Sequence, residues 1–154
     1  RSYLPDATLR TTIIVGFPGE TDEDFKEVIE FAKEIKFDRL GAFAYSIEEG
    51  TPAAKFTDQL DKKTKNKRQR KIMFIQQNVS KELMSSRIGN VYECLIENIS
   101  EDGEYYIGRT YMDVPSEDGV VYVKYDSSIM VNDFVEVKIC DSSEYDLIGE
   151  VVNK

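Results

Sequence analysis

Gly16-Phe17-Pro18-Gly19-Glu20 sets two glycines, whose backbone a ligand can approach closely, just ahead of Thr21-Asp22-Glu23-Asp24, a sequence that starts helices. A turn of this kind leaving the C-terminal end of a strand is a place where α/β proteins hold ligands. The same residues also serve as a plain strand-to-helix turn, with Glu20 a solvated first-turn carboxylate. Lys62, Lys63, Lys65, Lys67, Arg68, Arg70 and Lys71 gather enough positive charge to hold phosphate, or to form the charged face of a surface helix. Tyr105, Tyr106, Tyr111, Tyr122 and Tyr125 offer rings on which bases stack. Cys94 and Cys140 lie in strand-like runs and are expected as small buried hydrophobes. There is no histidine, so Ser-His-Asp and Cys-His nucleophiles, histidine acid–base chemistry and a His/Cys zinc site are excluded within this chain.

The elements that must position these residues change character near Arg87. Residues 1–86 hold 15 Lys+Arg against 14 Asp+Glu, whereas residues 87–154 hold 5 against 15, out of a total net charge of -9. The chain of 154 residues therefore reads as two folded units with a boundary at that point. No apolar run approaches the roughly 20 residues that cross a bilayer. The start, Arg1-Ser2-Tyr3-Leu4-Pro5, has neither an initiator Met nor an apolar signal region, which suggests a piece of a longer cytoplasmic protein.

Thr11–Val15 is an unbroken β-branched run, as in a parallel strand covered on both faces. Thr21 caps a helix over 22–35 with an apolar stripe of Phe25, Val28, Ile29, Ala32 and Ile35. Asp38–Tyr45 follows as a second strand, completing a βαβ unit. Residues 61–86 lack Gly and Pro and set Ile72, Ile75, Val79 and Leu83 on one face of a long helix. Two βα units cannot cover both faces of a sheet, so the first 60 residues should be the last part of a larger parallel (β/α) barrel. They should expose apolar edges and pair with another copy or lose order.

Strands are expected at 89–98, 105–111, 120–125, 135–139 and 147–152, with Pro115-Ser116-Glu117-Asp118-Gly119 as a turn. The fold class is thus α/β plus all-β: a partial parallel barrel, a long helix, and a small five-stranded antiparallel β-barrel of oligonucleotide-binding (OB-like) size. The barrel's charge repels a polyanion and either suits a basic polypeptide or serves solubility alone.

Residues 9–21 (Leu9 to Thr21), Phe37–Phe43, Tyr45-Ser46 and Glu48–Ala54 resemble the end of the barrel in radical S-adenosylmethionine methylthiotransferases. Arg68 and Gln76-Gln77 resemble the segment that joins this barrel to a terminal TRAM domain, which residues 87–154 would supply. Ile107-Gly108-Arg109-Thr110, with Asp113, Pro115, Asp118 and Gly119, resembles the branch acting on a ribosomal protein, although Val114, Ser116 and Glu117 depart from its usual residues.

The resemblance implies domains at 1–60, 61–86 and 87–154. It also implies a parent enzyme that adds a methylthio group to an aspartate of small-subunit ribosomal protein twelve. S-adenosylmethionine and two 4Fe-4S clusters would be its cofactors. The ligands of the radical cluster would lie upstream, and this piece alone would be inactive. Ile14, Gly16, Phe43 and Tyr45 would flank S-adenosylmethionine, and Arg109, Asp113, Glu117 and Asp118 would meet the basic substrate protein. The alternatives are a tRNA methylthiotransferase with an RNA-binding TRAM domain, and a non-enzymatic adaptor barrel.

Overall fold

The computed structural model describes residues 3–4 and 6–153, which divide into two compact units between Val79 and Ser80. In the first unit, β1 (Arg10–Val15) and β2 (Arg39–Ala44) pair in parallel and are joined by α1 (Asp22–Ile35). Helix α1 starts where the sequence places it because Thr21 and Asp24 form a capping box. The Thr21 Oγ1 accepts the Asp24 N–H at 3.1 Å, and Asp24 Oδ2 accepts the Thr21 N–H at 2.9 Å. Three carboxylates in the first turn favour the same end of the helix dipole.

Phe25, Ile29 and Ala32 of α1 cover one face of the two strands, meeting Val15, Leu40 and Ala42 together with Ile72. The opposite face is open among the described residues. Burial alternates along β1, and Ile14 is 56% exposed beside Phe43, its cross-strand partner, at 60%. The physical reason is that α1 and α2 both pack on the same face of a sheet of only two strands.

Helix α2 (Lys62–Ser85) begins at Asp61, whose Oδ1 accepts the Thr64 N–H at 3.0 Å. It is fastened to β2 and its approach by two glutamines. Gln69 donates to the Ala42 carbonyl at 2.9 Å and Gln76 to that of Phe37 at 2.8 Å. The unit division falls inside α2, so its last turn belongs with the barrel, where Met84 is buried.

The second unit is a closed barrel in the order β3–β4–β5–β7–β6, formed by β3 (Val91–Ile99), β4 (Tyr105–Arg109), β5 (Val121–Lys124), β6 (Phe134–Ser142) and β7 (Leu147–Asn153). Alternate residues point inward: Cys94, Ile96, Tyr106, Val121, Val123, Val135, Val137, Ile139 and Leu147 make the core. Burial of Cys94 pushes its thiol up to about 12, with the charges of Asp113 and Glu97 adding to the shift, so it stays protonated and inert. Cys140, expected inside, is exposed because it follows the inward Ile139 in the period-two pattern of β6.

The expectation of an antiparallel barrel also needs correction, since β5 and β7 pair in parallel through Val121↔Leu147, Tyr122↔Ile148 and Val123↔Gly149. Directions cannot alternate all the way round a closed ring with an odd number of strands, so five strands force at least one parallel pair. Close approach of β3 and β4 uses Gly108, where a Cβ would stand 2.6 Å from Cys94 Sγ and 2.7 Å from the Leu95 carbonyl oxygen.

Candidate functional site

At the C-terminal ends of β1 and β2 the chain turns away through Gly16 and Tyr45. Gly16 has a left-handed φ of +72°, and its N–H donates to Glu20 Oε2 at 3.0 Å. Glu20 is therefore no solvated carboxylate. Its side chain is 11% exposed and ion-paired with Arg68, which also donates to the Glu20 carbonyl at 3.0 Å and to Asp22 Oδ1 at 2.7 Å. Burial works against the Arg68 charge, but hydrogen bonds to Asp22 and Glu20 outweigh it and hold the guanidinium above its ordinary pKa. The Gly-Phe-Pro-Gly-Glu turn is thus fixed by a buried ion pair reaching it from α2.

Tyr45 closes the other strand end. Its N–H donates to the Val15 carbonyl at 2.8 Å, and its ring meets Phe17 edge-on at 5.2 Å. The Lys65 ammonium lies over that ring, 4.9 Å from the centroid. The four residues expected at the strand ends thus fall into two pairs: Ile14 and Phe43 side by side on the open sheet face, and Gly16 and Tyr45 in the turns, both touched by Lys65.

The lysine run divides. Lys62, Lys63, Lys67, Arg70 and Lys71 are exposed, whereas Lys65 and Arg68 are buried. The sequence offered both only as members of a run that could hold phosphate, and Arg68 as part of the linking segment. The signal was their spacing, since Lys65, Arg68, Ile72, Gln76 and Val79 share one helical face and carry the buried stripe back into the charged segment.

On the barrel, the residues expected to meet a substrate protein are largely occupied with the loop itself. Asp113 Oδ2 accepts from the Thr110 N–H at 3.0 Å and Oγ1 at 2.8 Å, and Asp118 Oδ2 accepts the Val114 N–H at 2.8 Å. Arg109 is paired with Glu97 at 2.6 Å, while Glu117 is exposed. A second acidic feature lies on the outer face of β3 and β6. Glu93 and Glu136 are direct cross-strand partners, both exposed, next to the Leu95–Phe134 pair. A cleft of about 200 Å³ there is lined by Glu93, Leu95, Arg109, Thr110, Tyr111 and Phe134.

Among the described residues from 87 on, the cations do not gather into a groove. Arg87 is buried, Arg109 is neutralised by Glu97, and Lys138 stands across from Glu150. Lys124 shares the outer face of β4 and β5 with Tyr105 and Tyr122, and Lys154 lies outside the described residues. Tyr106 is not a stacking platform, for it is buried and donates its hydroxyl to the Ile129 carbonyl at 2.6 Å.

Residues 88–152 match the TRAM domain family. Over 152 residues, 98% of this chain, the sequence is 53% identical to the ribosomal protein uS12 methylthiotransferase RimO of Alkaliphilus oremlandii. The chain is RimO-like across both units. The corresponding protein of Clostridioides difficile is also 53% identical over 99% of the chain, and that of Acetivibrio thermocellus 46% over 100%. The chain spans about a third of the length of these RimO relatives, 34–35%. The matched stretch therefore takes in both the strand ends and the barrel. No helix among the described residues is long and apolar enough to cross a membrane.

Proposed function

We propose that the chain is the C-terminal part of a ribosomal-protein methylthiotransferase, with residues 1–60 closing the catalytic barrel, 61–86 linking, and 87–154 forming the TRAM domain. The observation that carries this reading is the 53% identity to RimO maintained over 98% of the chain. The parent would add a methylthio group to an aspartate of small-subunit ribosomal protein twelve and work in the cytoplasm. The fragment by itself would be inactive.

Ile14, Gly16, Phe43 and Tyr45 would hold S-adenosylmethionine. An exposed apolar pair on the open sheet face, beside a turn that lacks a Cβ, suits the flat adenosyl group. When bound, S-adenosylmethionine would supply the methyl group and, with an iron-sulfur cluster, the radical. This chain's own contribution is to bind and orient: the Glu20–Arg68 pair keeps the Gly16 turn in one conformation, and Tyr45 walls its neighbour. Among the described residues no group of His, Cys, Asp or Glu is placed to hold a metal ion, so the two 4Fe-4S clusters would take their ligands from elsewhere in the parent.

The TRAM barrel would recognise the basic substrate protein through Glu117 and the Glu93–Glu136 face, with Arg109, Asp113 and Asp118 shaping the neighbouring loop. Dispersed cations support this over RNA, which draws much of its affinity from clustered Lys and Arg. The test is to titrate the chain with the basic ribosomal protein and with tRNA at low and high salt. Tighter binding of the protein, weakening with salt, is expected, and tighter binding of tRNA overturns the substrate assignment.

A further inference from the structure

A cleft of about 530 Å³ opens at the C-terminal end of β2, lined by Ala44, Tyr45, Ser46, Ile47, Lys62 and Lys65 among others, with no carboxylate in its wall. Lys65 is only 8% exposed, yet its ammonium makes no hydrogen bond or ion pair among the described residues. Its stem is buried while the ammonium reaches the cleft, and a lysine held this way without a counter-ion is uncommon. The ring of Tyr45 attracts the charge but supplies no acceptor for its three N–H donors, which are open to the cleft.

The placement is built into the fold. A Cβ on residue 16 would stand 2.6 Å from Lys65 Cγ and 3.1 Å from its Cβ, so the lysine stem lies along the bare Cα of Gly16. Gly16 is thus required twice, by its φ of +72° and by this contact. Within the same wall the Tyr45 hydroxyl is buried with no hydrogen-bond partner among the described residues. A buried hydroxyl without a partner is uncommon and calls for explanation.

We propose that Lys65 and Tyr45 form a carboxylate-binding subsite at the strand ends. The Lys65 ammonium, which reaches the cleft, has no acceptor or counter-ion among the described residues, and the buried hydroxyl of Tyr45, whose ring it overlies, has no partner either. A carboxylate supplies both, with two oxygens and a single charge. A phosphate dianion would need both lysines of the cleft, and Lys62 stands exposed, where water screens its charge. The site stands on the cleft itself and outlives a failure of the proposed reaction. If that reaction holds, either the aspartate side chain of the target or S-adenosylmethionine can bring the carboxylate.

The test is lysine Nζ and Cε NMR on the whole chain, with the Lys65 signal identified through Lys65→Met, which keeps the stem on Gly16 and removes the charge. The probes are the amide of N-acetyl-L-aspartate, which carries one carboxylate, then S-adenosylmethionine and inorganic phosphate. The expected result is a saturable shift of the Lys65 signal with a carboxylate probe, weakened about tenfold in Tyr45→Phe, and no binding of the same probe by Lys65→Met in equilibrium dialysis. Saturation by the aspartate amide assigns the subsite to the target side chain, and saturation by S-adenosylmethionine alone assigns it to the cofactor. The proposal is overturned if neither carboxylate moves the Lys65 signal or if phosphate binds more tightly than both. It is also overturned if Lys65→Met or Tyr45→Phe binds the carboxylate as the parent chain does, and Tyr45→Phe alone decides should Lys65→Met fail to fold.

Discussion

Arg68 shows how one side chain governs a turn 48 residues away in sequence. It neutralises Glu20, and Glu20 in turn accepts the Gly16 N–H, so the conformation of the strand end depends on a guanidinium supplied by another helix. Removing one partner of a buried pair costs about 3 kcal/mol, because the remaining charge is left without compensation. Arg68→Met is therefore expected to destabilise the first unit by about that amount. Glu20→Gln added to it should restore part of the loss, since a neutral amide needs no counter-ion. Urea unfolding followed at the amides of α1 measures both variants, and equal stability of single and double variants would refute the coupling. From the sequence, Glu20 looked like a solvated carboxylate and Arg68 like one cation of a run. Local spacing reports that a residue sits on a buried helical face, but not which distant group meets it there.

At the scale of elements, the barrel carries a feature that weakens it. Glu93 and Glu136 face each other across β3 and β6, and like charges directly opposite on neighbouring strands are destabilising by roughly 0.2–1 kcal/mol. Glu136→Lys should accordingly raise stability by a few tenths of a kcal/mol, more at low salt than at high salt. The same change should weaken binding of the basic ribosomal protein, measured by the salt-dependent titration described above. Loss of stability, or unchanged affinity, would mean that this face is ordinary solvated surface. The strands that carry it were legible in the sequence, because Val135, Val137 and Ile139 alternate with polar residues and leave no other face for Glu136. The pairing register that sets Glu136 against Glu93 was not, since it depends on which strands become neighbours when the ring closes.

For the whole molecule, the open sheet face of the first unit is the dominant exposed apolar feature near the strand ends. Ile14 and Phe43 are paired there, and an apolar surface of this kind marks an interaction site or a tendency to associate. We expect the chain to self-associate through this face in a concentration-dependent manner, and Phe43→Glu to shift it toward the monomer in sedimentation velocity. A chain that stays monomeric at all concentrations would contradict this. The sequence by itself determined the βαβ unit, the limits of α1, the long helix and the inward alternation of Val135, Val137 and Ile139 in β6. These follow from caps, periods of 3.6 and 2, and turn residues acting within a few positions of one another. Tertiary structure alone decided that β5 and β7 run parallel, that Glu20 is buried under Arg68, and that Lys65 lies unpaired beside Tyr45. Each of these depends on ring closure or on side chains brought together from distant segments, and no local pattern records what a charge will find once it is buried.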